Sequence, residues 1–516
     1  NINISMISIL NYDFKSLNFF HFLLLLLPLT LVSGPFLPDL IVTLISFYFC
    51  FIFFIKKKFK SVPIINIFIN FFLVFYVVAI ISSIFAIEPT VSLKSSISYI
   101  RFLLFALSTY YLLKDNLILI NILSFIVLIL IFFLSIDALF QYIFKYNLFG
   151  MQVYGSRPSS LFGEELILGS FIGRLFPLGF IYIFTLHNQK KNILFVIYTI
   201  ACLIAIIISQ ERTAFIHFFF GHFLFFILIK DFRKIYIYIL SLGAIFIFIL
   251  LLNKSNIFDR LIKHTIDQSS KGNHVFLYSE RHTDHILTAI NMIKSKPIIG
   301  HGNKSFRFLC SKPQYSTEKI TRNRSFYYSK YDQKVTISHS PKSFLSKDLN
   351  GQKTLLINLS RDKKTYSYFG VERLFLPSEQ RYIFQTTFDK KSLVNNPRPY
   401  TYNVKKGDLI LKFSIEHING CNTHPHHLFI QVFSENGLIN FIIILMLFFS
   451  IIYLLIKEHK NKNIINYNIK CTLLVMGLIA LFPFVPSGNF FNNWLSVVYF
   501  FPVGLYFATL KKNNLS

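Results

Sequence analysis

Charge is scarce in this chain. Only 15% of its 516 residues are Asp, Glu, Lys or Arg, while 53% are hydrophobic and 63 are Phe. That balance excludes an ordinary soluble domain. Acidic residues are the rarer kind, 24 against 52 basic, for a formal net charge of +28. The basic residues are dispersed over loops with no nucleic-acid motif beside them, so membrane topology and anionic lipid explain the excess better than nucleic acid. Acids in the middle of apolar runs are also missing, Asp137 apart. Transporters usually carry ionisable groups at mid-helix together with internal repeats, which leaves a polysaccharide or lipid transporter as the weaker alternative. Of the five cysteines, Cys50, Cys202 and Cys471 fall within or beside apolar runs, where a thiol behaves as a small apolar group.

What is abundant is apolar run. A bilayer needs about 20 residues per helical span, and twelve runs qualify: 19–36, 38–55, 64–87, 97–113, 117–144, 165–186, 192–209, 213–229, 234–252, 427–456, 470–486 and 490–510. The expected class is an all-α polytopic membrane protein. Lys56–Lys58, Lys60, Lys114, Lys190, Lys191, Lys230, Arg233, Lys234, Lys457, Lys460, Lys462, Lys511 and Lys512 all fall on one side of these spans. By the positive-inside rule that side is cytoplasmic. The region between the ninth and tenth spans is then outside, with Arg157, Glu164, Glu165 and Arg212 at outer helix ends. The chain opens on Asn, and Met6 is a candidate start; the first apolar run reads as a span, not a cleaved signal.

Four further boundaries follow after residues 1–252. Residues 253–309 hold an amphipathic stretch with Ile286, Ala289, Ile290 and Ile293 on one face; it ends at Lys296-Pro297. Gly300 and Gly302 follow in a GHG turn, where glycine permits close backbone approach or positive φ. Residues 310–416 switch to short alternating segments separated by turn residues, which predicts a β-rich insertion. Residues 417–426 lead into the last block, 427–516. Cys310 and Cys421 bracket the insertion on the oxidising side, so a disulfide closing that loop is expected, with two unpaired thiols as the alternative.

The densest chemistry lies in THPHHLFIQVFSENGL, Thr423 to Leu438. Pro425 suits a helix start. His427, Gln431 and Glu435 then recur at i, i+4 and i+8 as one polar stripe that should face protein. His424 and His426 stand at the mouth of that helix, where unpaired N–H groups favour an anion and an imidazole can move a proton.

Arg212 in SQERTAF, Arg281 before an amphipathic helix, PIIGHGNKSF and HPHHLFIQVFSENGL together resemble the O-antigen ligase family of bacterial envelopes, which includes O-antigen polymerases and protein O-oligosaccharyltransferases. GSRPSSLFGEELILGSFIGRLFP and VPSGNFFNNW add to the likeness. His427 departs from it, since the family usually has Asn after the motif histidine, and the loop insertion is larger than usual. The resemblance implies a GT-C-like fold and a glycosyltransferase in the bacterial inner membrane. It would move a glycan from undecaprenyl diphosphate to a lipid A core sugar on the periplasmic face, with no cofactor or metal. It further implies His426 as general base and Arg212 and Arg281 as diphosphate clamps. His424, His427, Gln431, Glu435, Arg157, Gly300 and Gly302 line the substrates in this reading.

Each assignment has a plainer rival. Arg212 could snorkel to head groups, Arg281 could be a surface residue, and His426 could be satisfied by a carbonyl. His424, His426 and His427 could ligate zinc. Arg157 and Glu164 read equally as substrate contacts or as an outer-edge ion pair.

Overall fold

The computed structural model describes residues 17–56, 62–153, 157–186, 190–237, 280–310, 312, 314–316, 421–461 and 466–510, with six four-residue strands between 319 and 418. The protein is an all-α polytopic membrane protein. The helices are α1 Phe19–Thr30, α2 Phe36–Phe51, α3 Pro63–Ile84, α4 Pro89–Ile97, α5 Ile100–Leu113, α6 Ile118–Phe144, α7 Leu168–Thr185, α8 Lys190–Ser209, α9 Arg212–Leu228, α10 Glu280–Ser295, α11 Phe306–Leu309, α12 Leu428–Lys460, α13 Tyr467–Ala480 and α14 Asn493–Ala508.

Of the twelve expected spans the structure supports a smaller number. Among the described residues seven helical segments are long and apolar enough to cross a membrane: Phe36–Phe54, Pro63–Ile84, Pro89–Leu113, Ile118–Phe144, Leu168–Thr185, Lys190–Ser209 and Leu428–Lys460. An eighth is counted if Arg212–Leu228 and Lys230–Ile237, bent by 108°, form one broken span. Helices α1, α13 and α14 have 12, 14 and 16 residues, roughly 18 to 24 Å at 1.5 Å per residue and short of a bilayer core. Proline and glycine set those limits: Pro35 follows α1, and Pro483, Pro486 and Gly488 separate α13 from α14. Most of the predicted span 234–252 lies outside the described residues.

Most of the predicted β-rich insertion, 310–416, lies outside the described residues. The six strands form three separate two-stranded ladders, Lys319–Arg322 with Ile415–Ile418, Lys334–Ile337 with Tyr400–Asn403, and Thr354–Ile357 with Ile383–Thr386.

The chain divides into two compact units. The first comprises Asn1–Ile80, Lys94–Leu277 and Ile439–Ser516. Its centre is α7, which packs against α6, α8, α9 and α13, while α5 packs against α2 and α14. Phe171, Ile172, Phe176, Leu178, Phe180 and Ile181 of α7 are fully enclosed. Asp137, the mid-span acid, is also buried, and its role is structural, since the carboxylate accepts from the Leu148 N–H at 2.9 Å and from the Ser160 hydroxyl. Gln141, one turn on, accepts from the Ser159 and Ser160 N–H groups, so the 147–160 loop is tied to α6.

The second unit comprises Ile81–Leu93 and Tyr278–Leu438. Its apolar nucleus gathers Ala289, Met292, Phe306, Leu309, Cys310, Tyr315 and Cys421, with Ile430 against them. Cys310 and Cys421 form a disulfide within this nucleus. The face predicted on α10 is only partly the one used. Ile286 and Ala289 are buried, with Met292 completing the stripe, while Ile290 and Ile293 are half-buried.

Candidate active site

Two groups of functional side chains stand out, one in each unit. In the first unit the turn between α8 and α9 passes through Gln210, a non-glycine residue at φ 56°, and Glu211. Such a conformation costs on the order of 1 kcal/mol or more and persists where surroundings impose it. The imposition is visible at Glu211. Its two carboxylate oxygens accept from the N–H groups of Gly169 at 2.8 Å and Ser170 at 3.0 Å, and from the Ser170 hydroxyl at 2.6 Å. Glu211 thereby caps the start of α7, where free N–H groups favour negative charge. Burial raises its pKa, opposed by Ser170, Arg157 and the backbone donors.

Arg157 approaches the same carboxylate, at 3.8 Å, and donates to the Ser209 carbonyl at 2.9 Å. Glu164, the partner considered from sequence, is exposed, as is Glu165. The ion pair at this helix end is therefore Arg157 with Glu211. Arg212 is the first residue of α9 and is half-buried beside this turn. The region presents guanidinium groups around a carboxylate that is already committed to backbone donors.

In the second unit the segment after α10 is fastened to the beginning of α12. The N–H of His301 donates to the Ser434 carbonyl at 3.1 Å, that of Gly302 to the Glu435 carbonyl at 2.6 Å, and that of Leu438 to the Pro297 carbonyl at 2.8 Å. Asn436 Nδ2 donates to Asn303 Oδ1 at 2.6 Å, and Ser82 donates to the Glu435 carbonyl. The close approach is possible because side chains are absent. A Cβ on Gly300 would stand 2.6 Å from the Glu435 carbonyl, and Gly302 packs against Ala86 and Ser92. Both glycines have positive φ, 76° and 90°. Gly437 interrupts α12 at φ 78°, ψ −174°, a region open essentially to glycine alone.

The predicted polar stripe is enclosed here. Gln431 and Glu435 are fully buried, Gln431 Nε2 donating to Glu435 Oε2 at 3.0 Å and the Phe306 N–H to Glu435 Oε1 at 3.1 Å. His427 precedes α12, and its Nδ1 accepts from the Ile430 N–H at 3.4 Å. Burial lowers its pKa to about 4. His301, buried between Met292 and Ser295, is lowered too by burial, and its contacts are structural.

Around the mouth of α12 four imidazoles converge. The ring of His426 lies 4.0 Å from His424, 5.0 Å from His282 and 5.1 Å from His285, centroid to centroid. His426 has φ 55° and its Nε2 is 2.7 Å from Asn422 Nδ2. An amide nitrogen only donates, so Nε2 is the lone-pair nitrogen in this arrangement. His424 Nδ1 is 2.9 Å from the Thr423 hydroxyl. His282 and His285, at i and i+3 on α10, share a helix face. Among the described residues no group of three His, Cys, Asp or Glu side chains is arranged to hold a metal ion. Arg281 occupies the first turn of α10, next to His282 in the chain.

Sequence reasoning missed Glu211, Asn422, His282 and His285. The spacing of the two histidines in ERHTDHILTA and the adjacency of Glu211 to Arg212 were the available signals. Residues 197–340 match the family model described as O-antigen ligase. The match contains Glu211, Arg212, Arg281, Gly300 and Gly302. Among curated proteins no match to the chain is found.

Proposed function

From a chain whose residues 197–340 carry an O-antigen ligase match, supporting that family, we propose a membrane glycosyltransferase. It moves a glycan from undecaprenyl diphosphate to a sugar hydroxyl of lipid A core, on the periplasmic face of the inner membrane. The observation that carries this reading is the imidazole group around His426, with a lone-pair nitrogen already holding an N–H donor, in a family-matched protein rich in end-of-helix guanidinium groups.

The chemistry follows from what the residues can do. An acceptor hydroxyl that takes the place of the Asn422 amide donates its hydrogen to His426 Nε2, and the oxygen attacks the anomeric carbon. The bond from that carbon to the diphosphate oxygen breaks as the new one forms. Attack opposite the leaving group inverts the anomeric centre. Arg212 and Arg281 serve as the clamps, because a guanidinium stays charged and its planar fork matches phosphate oxygens. Arg157, His424 and His427 line the substrates, while Gln431, Glu435, Gly300 and Gly302 hold the segment that presents His426. Most of the acceleration is then positioning and electrostatic stabilisation of the leaving diphosphate, which asks for no metal ion.

The test is transfer in proteoliposomes supplied with a lipid-linked glycan and lipid A core, following core attachment and free polymer length together. His426→Ala is expected to lower the rate about 10²- to 10⁴-fold, and Arg212→Ala comparably. Longer lipid-linked polymer without core attachment would make the protein a polymerase of the same superfamily, and glycan on a protein acceptor an oligosaccharyltransferase. Transfer indifferent to both variants would end the assignment.

A further inference from the structure

Arg174, which the reading above does not use, sits near the centre of α7 and is 5% exposed. A guanidinium carries five N–H donors. Here Nη1 reaches the Ser170 carbonyl at 3.2 Å, and Nε is buried with no hydrogen-bond partner. No carboxylate stands within 4.0 Å of it among the described residues. Glu211 is within electrostatic reach, but its oxygens are taken by Gly169, Ser170 and Arg157. A cation held two turns inside a membrane-spanning helix without a counter-ion is costly, and such residues mark ion or substrate positions.

Its surroundings are built and not incidental. A Cβ at Gly173, the preceding residue, would meet Ala214 of α9 at 3.2 Å, so the two helices touch backbone to backbone beside the guanidinium. His217, one turn further along α9, also lies within Arg174's electrostatic reach and is 2% exposed, with Nδ1 unpartnered. Tyr499 of α14 is the third group within electrostatic reach of Arg174. The same Tyr499 is a wall residue of an apolar cavity of about 340 Å³ among α3, α12, α13 and α14. Tyr99, also in that wall, is 3% exposed. Tyr499 thus lies both within electrostatic reach of a buried cation short of acceptors and in the wall of a mostly apolar space.

We propose that Arg174 is a binding residue for the anionic group of a prenyl diphosphate, the chain of which enters the adjoining apolar cavity. This rests on the transferase reading and adds to it an intramembrane contact separate from the helix-end arginines. A soluble anion would gain nothing from the cavity, and an uncharged prenyl chain nothing from the arginine. Only the amphiphile satisfies both.

The experiment uses the full chain in uncharged phosphatidylcholine nanodiscs, with farnesyl diphosphate, farnesol and inorganic diphosphate as probes. Wild type is expected to bind farnesyl diphosphate more tightly than either other probe. Arg174→Gln is expected to weaken farnesyl diphosphate about 10- to 100-fold, leave farnesol unchanged and leave the unliganded melting temperature within a few degrees. Arg174→Lys keeps a point charge without the planar fork and should lie between. If the Gln variant does not fold, the Lys variant decides: several-fold weaker binding at an unchanged melting temperature supports the proposal, and unchanged binding overturns it. Undiminished binding in Arg174→Gln likewise overturns it, and leaves the transferase reading intact if wild-type transfer still depends on His426. A wild type blind to farnesyl diphosphate that also fails to transfer would remove both.

Discussion

The turn at Glu211 and the junction at Glu435 use one device for two ends. Each holds a glutamate whose oxygens accept backbone N–H groups, from Gly169 and Ser170 in one case and from Phe306 in the other. Each relies on glycine where backbones meet, and each stands beside a non-glycine residue at positive φ, Gln210 and Lys304. The difference lies in what surrounds the carboxylate. Glu435 is fully enclosed, Gln431 shares its carboxylate, and among the described residues a single guanidinium, that of Arg307, lies within electrostatic reach. Glu211 has guanidinium groups about it, one of them paired and one, Arg174, short of acceptors. A carboxylate already occupied by backbone donors leaves Arg174 short of an acceptor, and that guanidinium is the one open to an anionic ligand. At Glu435 the carboxylate ties the Phe306 N–H and the Gln431 amide together and so fixes the start of α12.

The largest break in this comparison is Gly437→Ala. The backbone at φ 78°, ψ −174° excludes an L side chain, and its Cβ would press on the Ile298 carbonyl and stand 2.7 Å from Ile299. The loss should exceed about 4 kcal/mol, enough to detach the 298–303 segment from α12. Limited proteolysis near residue 300 would report it; a variant as resistant as wild type would show that the junction does not depend on that glycine.

Glu211→Gln sharpens the contrast at smaller cost. The amide oxygen still accepts, but the amide nitrogen turns a donor toward Ser170 or Arg157, and the charge that steadies Arg157 is gone. A loss of about 1 to 2 kcal/mol is expected, with transfer falling more than stability because Arg157 is released. Equal activity at reduced stability would make the layer purely structural.

The sequence made the membrane class legible through its apolar runs, and the GHG segment legible through glycine, because both are local signals. Span count was not. Whether Tyr467–Ala480 or Asn493–Ala508 crosses depends on where Pro483, Pro486 and Gly488 stop the helices, which periodicity alone does not reveal. The site was half legible. His424 and His426 announced themselves by crowding, whereas His282 and His285 reach them only through the packing of Met292, Phe306 and the Cys310–Cys421 disulfide. Arg157 was visible and its partner was not, since 52 residues separate Arg157 from the Ser209 carbonyl beside Glu211.

The smallest predicted effect is a pH dependence that belongs to the imidazole junction and not to the guanidinium turn. His427 Nδ1 accepts the Ile430 N–H at the start of α12, so a proton there would remove an acceptor and place positive charge at the positive end of the helix. Its pKa in the fold is about 4, below the ordinary value near 6.5. The unfolded chain therefore binds a proton first as pH falls. The stability contributed by neutral His427 is complete above about pH 6.5 and is lost progressively as pH drops through about 4. Allowing for its partial exposure, the loss by pH 5 is about 1 kcal/mol. Asn at this position keeps a capping acceptor and does not titrate. Melting temperatures of wild type and His427→Asn at pH 7.5 and pH 5 should then diverge, wild type falling further. Parallel falls would place the acid sensitivity elsewhere in the protein, with His301 the next buried imidazole to examine.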